Sequence, residues 1–288
     1  NLFKDGEAED VILSGELAQQ NANDSAYKSF KEARTSYLEY NQRKADSPWK
    51  NENLRKAVSY AINRKSLVNQ VLGDGSVVST GLVPSGMSKN PKTDEDFAKE
   101  AGKLAPYDKE KAKEYWDKAK KELGIDELSF ELMASDTDSS KKVIEYIQGV
   151  LEDTLPGMTV KPTPVPFSVR LDRSNAGDFD VLLGGWGADY ADPSSFTDLF
   201  VTGNSYNRGR WSNEEYDKLV DASGNKDASD EEARWEDLQK ANEIISKESG
   251  VAPLYQLSEA HLVNEKVKGI VHHPAGASWD YKWTYVEE

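Results

Sequence analysis

Residues 177–193 read GDFDVLLGGWGADYADP, and this stretch decides how the rest of the chain is interpreted. An apolar run typical of a buried strand, FDVLL at residues 179–183, is followed by three glycines, a tryptophan and two acidic residues. A strand needs none of these residues at its end for stability. The pattern therefore favours a backbone that is held open to receive a ligand.

The residues of this motif suit a binding site, although a structural role explains them equally well. Gly184, Gly185 and Gly187 let the backbone approach a ligand closely or bend sharply. Trp186 offers a large amphipathic surface, and Asp189 a carboxylate that requires a partner if it is partly buried. No basic residue lies within the motif, so a ligand ammonium group would supply that partner. The alternative is a glycine bulge, a core tryptophan and solvated acids.

Composition indicates a soluble globular chain whose partners are neither nucleic acids nor anionic membranes. The chain has 288 residues, of which 37% are hydrophobic, enough for one large or two ordinary domains. Its net charge of -15 works against binding to polyanions. No apolar run approaches the roughly 18 residues of a membrane span, and the first residues lack the features of a secretion signal. We therefore expect a mature or truncated chain.

Neither a metal site nor a cofactor is expected. The sequence contains no cysteine, which excludes disulfides, thiolate ligands and cysteine nucleophiles. Its histidines are His261 and the adjacent His272 and His273, with no third ligand at a recognisable spacing.

Alternating helical and strand patterns predict an α/β fold with a mixed, partly parallel sheet flanked by helices. The predicted helices cover residues 24–31, 54–72, 108–123, 139–153, 168–174, 213–222 and 230–248, and Asn63 could cap a second helix within the 54–72 run. The predicted strands cover residues 35–41, 128–134, 158–165, 179–183, 251–257, 260–263 and 278–286, the last without a local partner. Pro162 and Pro164 indicate that the 158–165 strand lies at an edge or is a short piece. Capping boxes at Ser212 and Ser229 are expected to begin two of the helices.

Several stretches together resemble the carboxyl-terminal half of the oligopeptide and dipeptide class of bacterial extracellular solute-binding proteins, family 5, which serve ABC importers. They are NENLRKAVSYAINRKSLVNQVLGDG (51–75), GLVPSGM (81–87), GDFDVLLGGWGADYADPSSF (177–196), RWSNEEYDKLVDAS (210–223) and VAPLYQLSEAHLV (251–263). They occur in the family's order and at about its spacing, and GWGADY is the most specific of them.

The resemblance implies a periplasmic-binding-protein-like architecture of type II, cluster C. It assigns residues 1–48 to a segment of the first lobe, 49–258 to the second, ligand-clamping lobe, and 259–288 to a return into the first lobe. It also implies that the amino-terminal half, with its signal and any lipid-anchor cysteine, is missing here.

The resemblance further implies a monomer that binds oligopeptides outside the cytoplasmic membrane, as a cell-surface lipoprotein or in the periplasm, and delivers them to a permease without catalysis. Asp189 would pair with the peptide's α-ammonium group. Trp186, Gly187 and the adjoining Gly185 would contact the peptide backbone or first side chain, so that the peptide adds as a strand. The loop that contains Tyr206, Asn207, Arg208 and Trp211 could also border the cleft.

Two alternatives remain open at this stage. A peptide-pheromone receptor of the same family would have the same sequence features. A glycoside hydrolase would need paired carboxylates such as Asp189 and Asp192 beside Trp186. Carboxylates three residues apart on a turn rarely face one another across a substrate, and Asp192 is expected to cap the helix that follows it.

Overall fold

The structure is a computed structural model that describes residues 2–287. Its strands are β1 (Asp10–Leu13), β2 (Tyr27–Tyr40), β3 (Val77–Val78), β4 (Leu128–Ser135), β5 (Met158–Val165), β6 (Val181–Gly187), β7 (Val251–Val263), β8 (Val267–Lys268), β9 (Val271–His272), β10 (Trp279–Asp280) and β11 (Tyr285–Val286). Its α-helices are α1 (Glu16–Asn21), α2 (Glu52–Ala61), α3 (Arg64–Ser66), α4 (Phe97–Ala101), α5 (Lys109–Leu123), α6 (Asp138–Thr154), α7 (Phe167–Ala176), α8 (Ser194–Thr197), α9 (Glu214–Gly224) and α10 (Glu231–Lys247). A π-helical turn (Leu67–Leu72) continues α3.

The central sheet has seven strands in the order β1-β7-β2-β6-β4-β5, with β3 also pairing with β7. The β4 strand runs parallel to β5 and to β6, and the remaining pairs are antiparallel. The predicted mixed α/β sheet is therefore confirmed. The β5 strand lies at the edge, as Pro162 and Pro164 predict, because a proline has no N–H to donate to a second neighbour.

The longest strands, β2 and β7, pair along most of their lengths, with register shifts between Lys31 and Thr35 and between Ser36 and Tyr37. The predicted helix at residues 24–31 is wrong, because Tyr27 to Lys31 pair with β7 instead. The two strands predicted at residues 251–263 form the single strand β7. Pairing between distant segments thus overrides the weak local pattern.

Alternate residues of β2 point to opposite faces of the sheet and join different cores. Leu38 packs with residues of α2, α5 and α6, among them the buried Trp116. Tyr37 packs on the other face with residues of α9 and α10, among them the buried Trp235. The sheet is thus covered by helices on both faces, as expected for this fold class.

Two arginines of the 51–75 segment are buried, although their charges suggest exposure. Arg64 is 2% exposed and donates to the carbonyls of Ser59, Ile62, Pro106 and Pro253 and to the Ser59 hydroxyl. Arg55 is 3% exposed and donates to four carbonyls. These bonds satisfy both guanidinium groups inside the core and tie α2 and α3 to distant loops.

The helices predicted after Ser212 and Ser229 form, but each begins one residue later than expected. Asn213 and Asp230 are the caps, and each side chain accepts a bond from the backbone N–H three residues onward, at 2.9 and 3.0 Å. The predicted capping boxes are therefore wrong, because asparagine and aspartate compete well with the neighbouring serines for the capping position.

The carboxyl-terminal segment forms local pairs, which contradicts the expectation of a terminal strand without a local partner. Strand β10 pairs with β9, and β11 pairs with β8. Each pair is two residues long and antiparallel. The aromatic alternation of residues 278–286 therefore belongs to short local pairs rather than to one extended strand.

Candidate functional site

The GGWG motif lies within strand β6, whose last residue is Gly187, and this corrects the expected strand boundary at residue 183. Val181 to Gly187 pair in register with β2, from Val181 opposite Tyr40 to Gly187 opposite Arg34. At Gly185, an added Cβ atom would lie 3.1 Å from the carbonyl oxygen of Thr35. Glycine therefore lets the two strands approach closely at this point.

The opposite edge of β6 is mostly unpaired. Strand β4 pairs with β6 only at Val181 and Leu182. Beyond Leu182, the described part of the chain places no second strand beside β6. Backbone groups on this edge, from Leu183 to Gly187, are therefore positioned to bond an added extended segment.

Trp186 lies half-buried on β6 and contacts an aromatic residue from a distant loop. Its ring meets the ring of Tyr206 with centroids 4.8 Å apart and planes at 62°. Its Nε1 atom is buried and has no hydrogen-bond partner among residues 2–287. Tyr206 is 45% exposed. Of the loop residues named from the sequence, Tyr206 and the half-buried Arg208 border this surface, whereas Asn207 and Trp211 are buried.

Asp189 follows β6 by two residues, and its side chain is exposed rather than partly buried as expected. Its backbone N–H donates to the Ser195 hydroxyl at 3.3 Å. Within the described chain, its carboxylate forms no hydrogen bond and no ion pair. The position thus offers an unpaired side-chain carboxylate at the end of the unpaired strand edge.

Asp192 has a different environment, although only three residues separate it from Asp189. Its Oδ1 atom accepts from the Ser194 N–H at 2.9 Å, but Pro193 and not Asp192 occupies the N-cap position of α8, so the predicted capping role is wrong. Both of its oxygens also accept from Arg234 of α10. Burial tends to raise the pKa of Asp192, but the bonds from Arg234 and Ser194 outweigh it and hold that pKa below its usual value.

The carboxyl ends of β4, β5 and β6 meet at one edge of the sheet, where ligands of open α/β sheets gather. Large apolar side chains are exposed along this edge. Phe167 and Val169 begin α7 directly after β5 and are 59% and 40% exposed, and Tyr190 beside Asp189 is 51% exposed. These exposed apolar side chains indicate a surface that binds another molecule.

Residues from the end of the chain also lie against the motif. The N–H of Gly276 donates to the Ala188 carbonyl at 3.3 Å, and the N–H of Ala33 donates to the Pro274 carbonyl at 2.6 Å. The turn of Asp189 is therefore bordered by the segment of residues 274–276. Neither segment carries a sequence pattern that predicts this contact, which joins residues far apart in the chain.

Residues 2–287 contain no group of three histidine, cysteine or acidic side chains arranged to hold a metal ion. None of the helices described here has both the length and the apolar character that a membrane crossing requires.

Comparison with known proteins adds the family. The family model for bacterial extracellular solute-binding proteins, family 5 (middle), matches residues 1–208. The dipeptide-binding protein of Lactococcus lactis subsp. cremoris is 38% identical over 99% of this chain and 54% of its own length. The dipeptide-binding protein DppE of Bacillus subtilis is 32% identical over 98% of this chain and 51% of its own length. The chain thus spans about half the length of these curated relatives.

Solved structures give the same result. The pheromone receptor PrgZ superposes on the whole chain with a TM-score of 0.87 and 42% identity, covering 55% of the receptor. The structure of Listeria monocytogenes OppA bound to peptide gives a TM-score of 0.87 and 37% identity, with 100% of this chain and 55% of OppA covered. These matches confirm the periplasmic-binding-protein-like fold. The chain belongs to family 5 of the bacterial extracellular solute-binding proteins.

Proposed function

We propose that this chain forms one wall of a peptide-binding cleft, in a protein that captures oligopeptides outside the cytoplasmic membrane and delivers them to an ABC importer permease without catalysis. One observation carries the proposal. The free carboxylate of Asp189 stands at the end of an unpaired strand edge, beside the half-buried Trp186. The similar Listeria OppA has been solved bound to peptide.

The arrangement suits an extended peptide with a free amino terminus. Main-chain groups of the peptide would bond the edge of β6 around Gly185 and Gly187, and this kind of bonding accepts many sequences. Asp189 would receive the α-ammonium group through a charge-assisted hydrogen bond. Trp186 and Tyr206 would pack against the first side chains.

The lobe assignment is part of the proposal. Residues 1–48 and 259–288 would belong to the first lobe and residues 49–258 to the second. Large apolar side chains are exposed in both outer segments, including Ile12 at 63% and Trp283 at 68%. The remainder of a first lobe would cover such side chains. We further propose that the complete protein works as a monomer and is either lipid-anchored or periplasmic.

Two alternatives differ in their support. A peptide-pheromone receptor is favoured by the similarity to PrgZ and would use the same cleft. A glycoside hydrolase would need Asp192 as the partner of Asp189. Asp192 accepts two hydrogen bonds from Arg234. Burial tends to raise the pKa of Asp192, but the bonds from Arg234 and Ser194 hold it below the usual value. A carboxyl group with a lowered pKa is a poor proton donor, which argues against the hydrolase.

The test is calorimetry with short alanine peptides, on the full-length protein and on its Asp189→Asn variant. We expect the variant to lose roughly 10- to 150-fold in affinity, as is usual for a charge-assisted hydrogen bond. Peptides with an acetylated amino terminus should bind weakly to both proteins, because they carry no ammonium group.

The matched control is Asp126→Asn, which neutralises an exposed carboxylate before β4, at the other end of the sheet. It should leave peptide affinity unchanged. Full-length protein that binds peptides equally well with and without the Asp189 charge would contradict the role of this residue. Full-length protein that binds no peptide would contradict the proposed function.

A further inference from the structure

Residues 271–280 form a short hairpin that lies against the proposed peptide site. Strand β9 pairs with β10, and between them the N–H of His273 donates to the Ser278 carbonyl at 2.8 Å. This bond closes the loop that joins the two strands. Residues 274–276 are therefore the tip of the 271–280 hairpin.

The base of the 271–280 hairpin is anchored on strands β2 and β7. The indole Nε1 of Trp279 donates to the Glu259 carboxylate of β7 at 2.9 Å. The Trp279 ring also meets the Phe30 ring of β2 edge to face, with centroids 4.7 Å apart, and lies 4.8 Å from the His261 ring of β7. A hydrogen bond and aromatic packing thus fix the hairpin to this pair of strands.

The tip of the 271–280 hairpin is joined to the start of the Asp189 turn through Ala33. The pairing of β2 with β7 is interrupted between residues 31 and 35, and Ala33 lies in this interruption. Its N–H donates to the Pro274 carbonyl at 2.6 Å, and its carbonyl accepts from the Ala188 N–H at 2.8 Å. The main-chain groups of Ala33 therefore connect the hairpin tip to the residue before Asp189.

Gly276 contacts the same turn directly. Its N–H donates to the Ala188 carbonyl at 3.3 Å, and an added Cβ atom would lie 3.6 Å from the Asp189 carbonyl oxygen. Its φ of 74° lies in the left-handed region, which glycine adopts at no steric cost. Ala275, between the two bonded residues of the tip, packs against the apolar cluster that contains Ala188. The tip is thus seated on the turn by packing as well as by hydrogen bonds.

The carboxylate of Asp189 depends on this backbone for its position. Within the described chain, the carboxylate forms no hydrogen bond and no ion pair, and the Asp189 N–H donates to the Ser195 hydroxyl at 3.3 Å. The preceding residue, Ala188, is held by Ala33 through its N–H and by Gly276 through its carbonyl. Main-chain contacts, and not a side-chain partner, therefore determine where the carboxylate stands.

We propose that the tip of the 271–280 hairpin positions Asp189 for the α-ammonium group of the peptide and links this site to the proposed first lobe. The proposal rests on the proposed function and adds a regulatory contact to the same site. The hairpin lies within residues 259–288, assigned to the first lobe, whereas Asp189 lies within residues 49–258. A movement of the hairpin with the first lobe would therefore shift the carboxylate. Because a charge-assisted hydrogen bond needs good geometry, such a shift would weaken the pairing with the ammonium group.

The experiment is a double-mutant cycle on the full-length protein, with calorimetry of alanine peptides that have a free amino terminus. Gly276→Ala strains the tip at its positive φ, and Trp279→Leu removes the hydrogen bond at the base of the hairpin. Each change is made in wild type and in the Asp189→Asn variant. We expect each to lower peptide affinity by about three- to tenfold when Asp189 is present, which is part of the worth of its charged bond. In the Asp189→Asn background the loss should be less than about twofold.

The matched control is Gly124→Ala. Gly124 follows α5 with a φ of 66°, and an added Cβ atom there meets nothing within 4 Å. The substitution therefore strains the backbone in the same way, but away from the Asp189 turn. It should leave peptide affinity unchanged in both backgrounds.

Three results would overturn the link. In the first, Asp189→Asn weakens binding but both hairpin variants bind as wild type does, so the site stands and the link fails. In the second, the hairpin variants lose equal affinity in both backgrounds, which indicates a general structural role. In the third, wild type binds no peptide or Asp189→Asn binds as tightly as wild type, and the proposed function or its Asp189 contact fails together with the link. Melting temperatures of the same samples separate a folding defect from a binding defect.

Discussion

Arg234 of α10 holds the carboxylate of Asp192 with two hydrogen bonds, Nη1 to Oδ2 at 2.9 Å and Nη2 to Oδ1 at 2.7 Å. Asp189, three residues earlier, has no such partner within the described chain. The two acids of the GWGADYAD motif therefore have different tasks. Asp192 fixes the loop to the helical layer, and the carboxylate of Asp189 stays unpaired within the described chain.

Removal of the Asp192 partner should destabilise the protein. We expect Arg234→Met to lower the free energy of unfolding by roughly 1.5 to 3 kcal/mol at pH 7, as for hydrogen bonds to charged groups. Burial opposes ionisation of Asp192, but its bonds to Arg234 and Ser194 lower its pKa below 3.8. The stabilisation is therefore present above about pH 4 and is lost as the pH falls through the lower native value.

Urea unfolding at pH 7 and pH 3 would measure this effect, and the difference between wild type and Arg234→Met should shrink at the lower pH. Lys218→Met is the control, since it breaks an exposed pair with Glu214 and should leave the unfolding midpoint unchanged. A difference that stays constant with pH would contradict the assignment to the Asp192 charge.

Glu39 should make the protein less stable as the pH rises. Burial raises the pKa of this side chain from 4.5 to about 7, so the native state holds the proton more tightly than the unfolded state. The contribution of Glu39 to the free energy of unfolding is most favourable below pH 4.5, and it falls as the pH rises to about 7. Glu39→Gln should remove this pH dependence. Between pH 4 and pH 8, the free energy of unfolding of the variant should therefore rise by on the order of 3 kcal/mol relative to that of wild type. Parallel stability curves for the two proteins would show that Glu39 does not titrate in this range.

Gly209 should not tolerate a side chain. An added Cβ atom would lie 2.2 Å from the Tyr40 carbonyl oxygen, and this oxygen belongs to the backbone of β2 and cannot move cheaply. We expect Gly209→Ala to lower the free energy of unfolding by more than about 2 kcal/mol, as measured by thermal or urea unfolding.

The matched control is Gly149→Ala within α6, where the added Cβ atom meets nothing within 4 Å. It should stabilise the protein by up to about 1 kcal/mol, through helix propensity. Equal effects of both changes would contradict the close contact at Gly209.

Arg64 should be irreplaceable by lysine. Its guanidinium group donates to four carbonyls and one hydroxyl inside the core, whereas an ammonium group has three donors and a different shape. We expect Arg64→Lys to lower the free energy of unfolding by about 3 kcal/mol, because buried carbonyl groups lose their hydrogen-bond donors. Lys65→Arg, at the exposed neighbouring position, should leave stability unchanged. A tolerated Arg64→Lys change would mean that water replaces the missing donors.

Local signals predicted the elements that depend on local physics. The predicted helix at residues 108–123 forms as α5, which Asp108 caps and Gly124 follows with a φ of 66°. Pro162 and Pro164 marked an edge strand correctly. The start of β2 was mistaken for a helix because its conformation is fixed by β7, more than two hundred residues onward in the chain.

The sequence motif of the candidate site could be predicted, but the contacts and the exposure of its side chains could not. The sequence pointed to Trp186 and Asp189 and to the lack of a basic partner. No local pattern joins Trp186 with Tyr206, because their contact depends on how the 201–211 loop packs on the sheet. The exposure of Asp189 was likewise set by the turn that follows β6.

The unpaired edge of β6 has a consequence for solubility. An open strand edge can recruit a strand from another copy of the same protein, which is how many sheet proteins aggregate. Here the open part runs only from Leu183 to Gly187 and contains three glycines, which make it a poor template for self-association. Glycine would thus serve two needs at one place, since it leaves main-chain groups accessible to the proposed peptide ligand and discourages pairing between molecules.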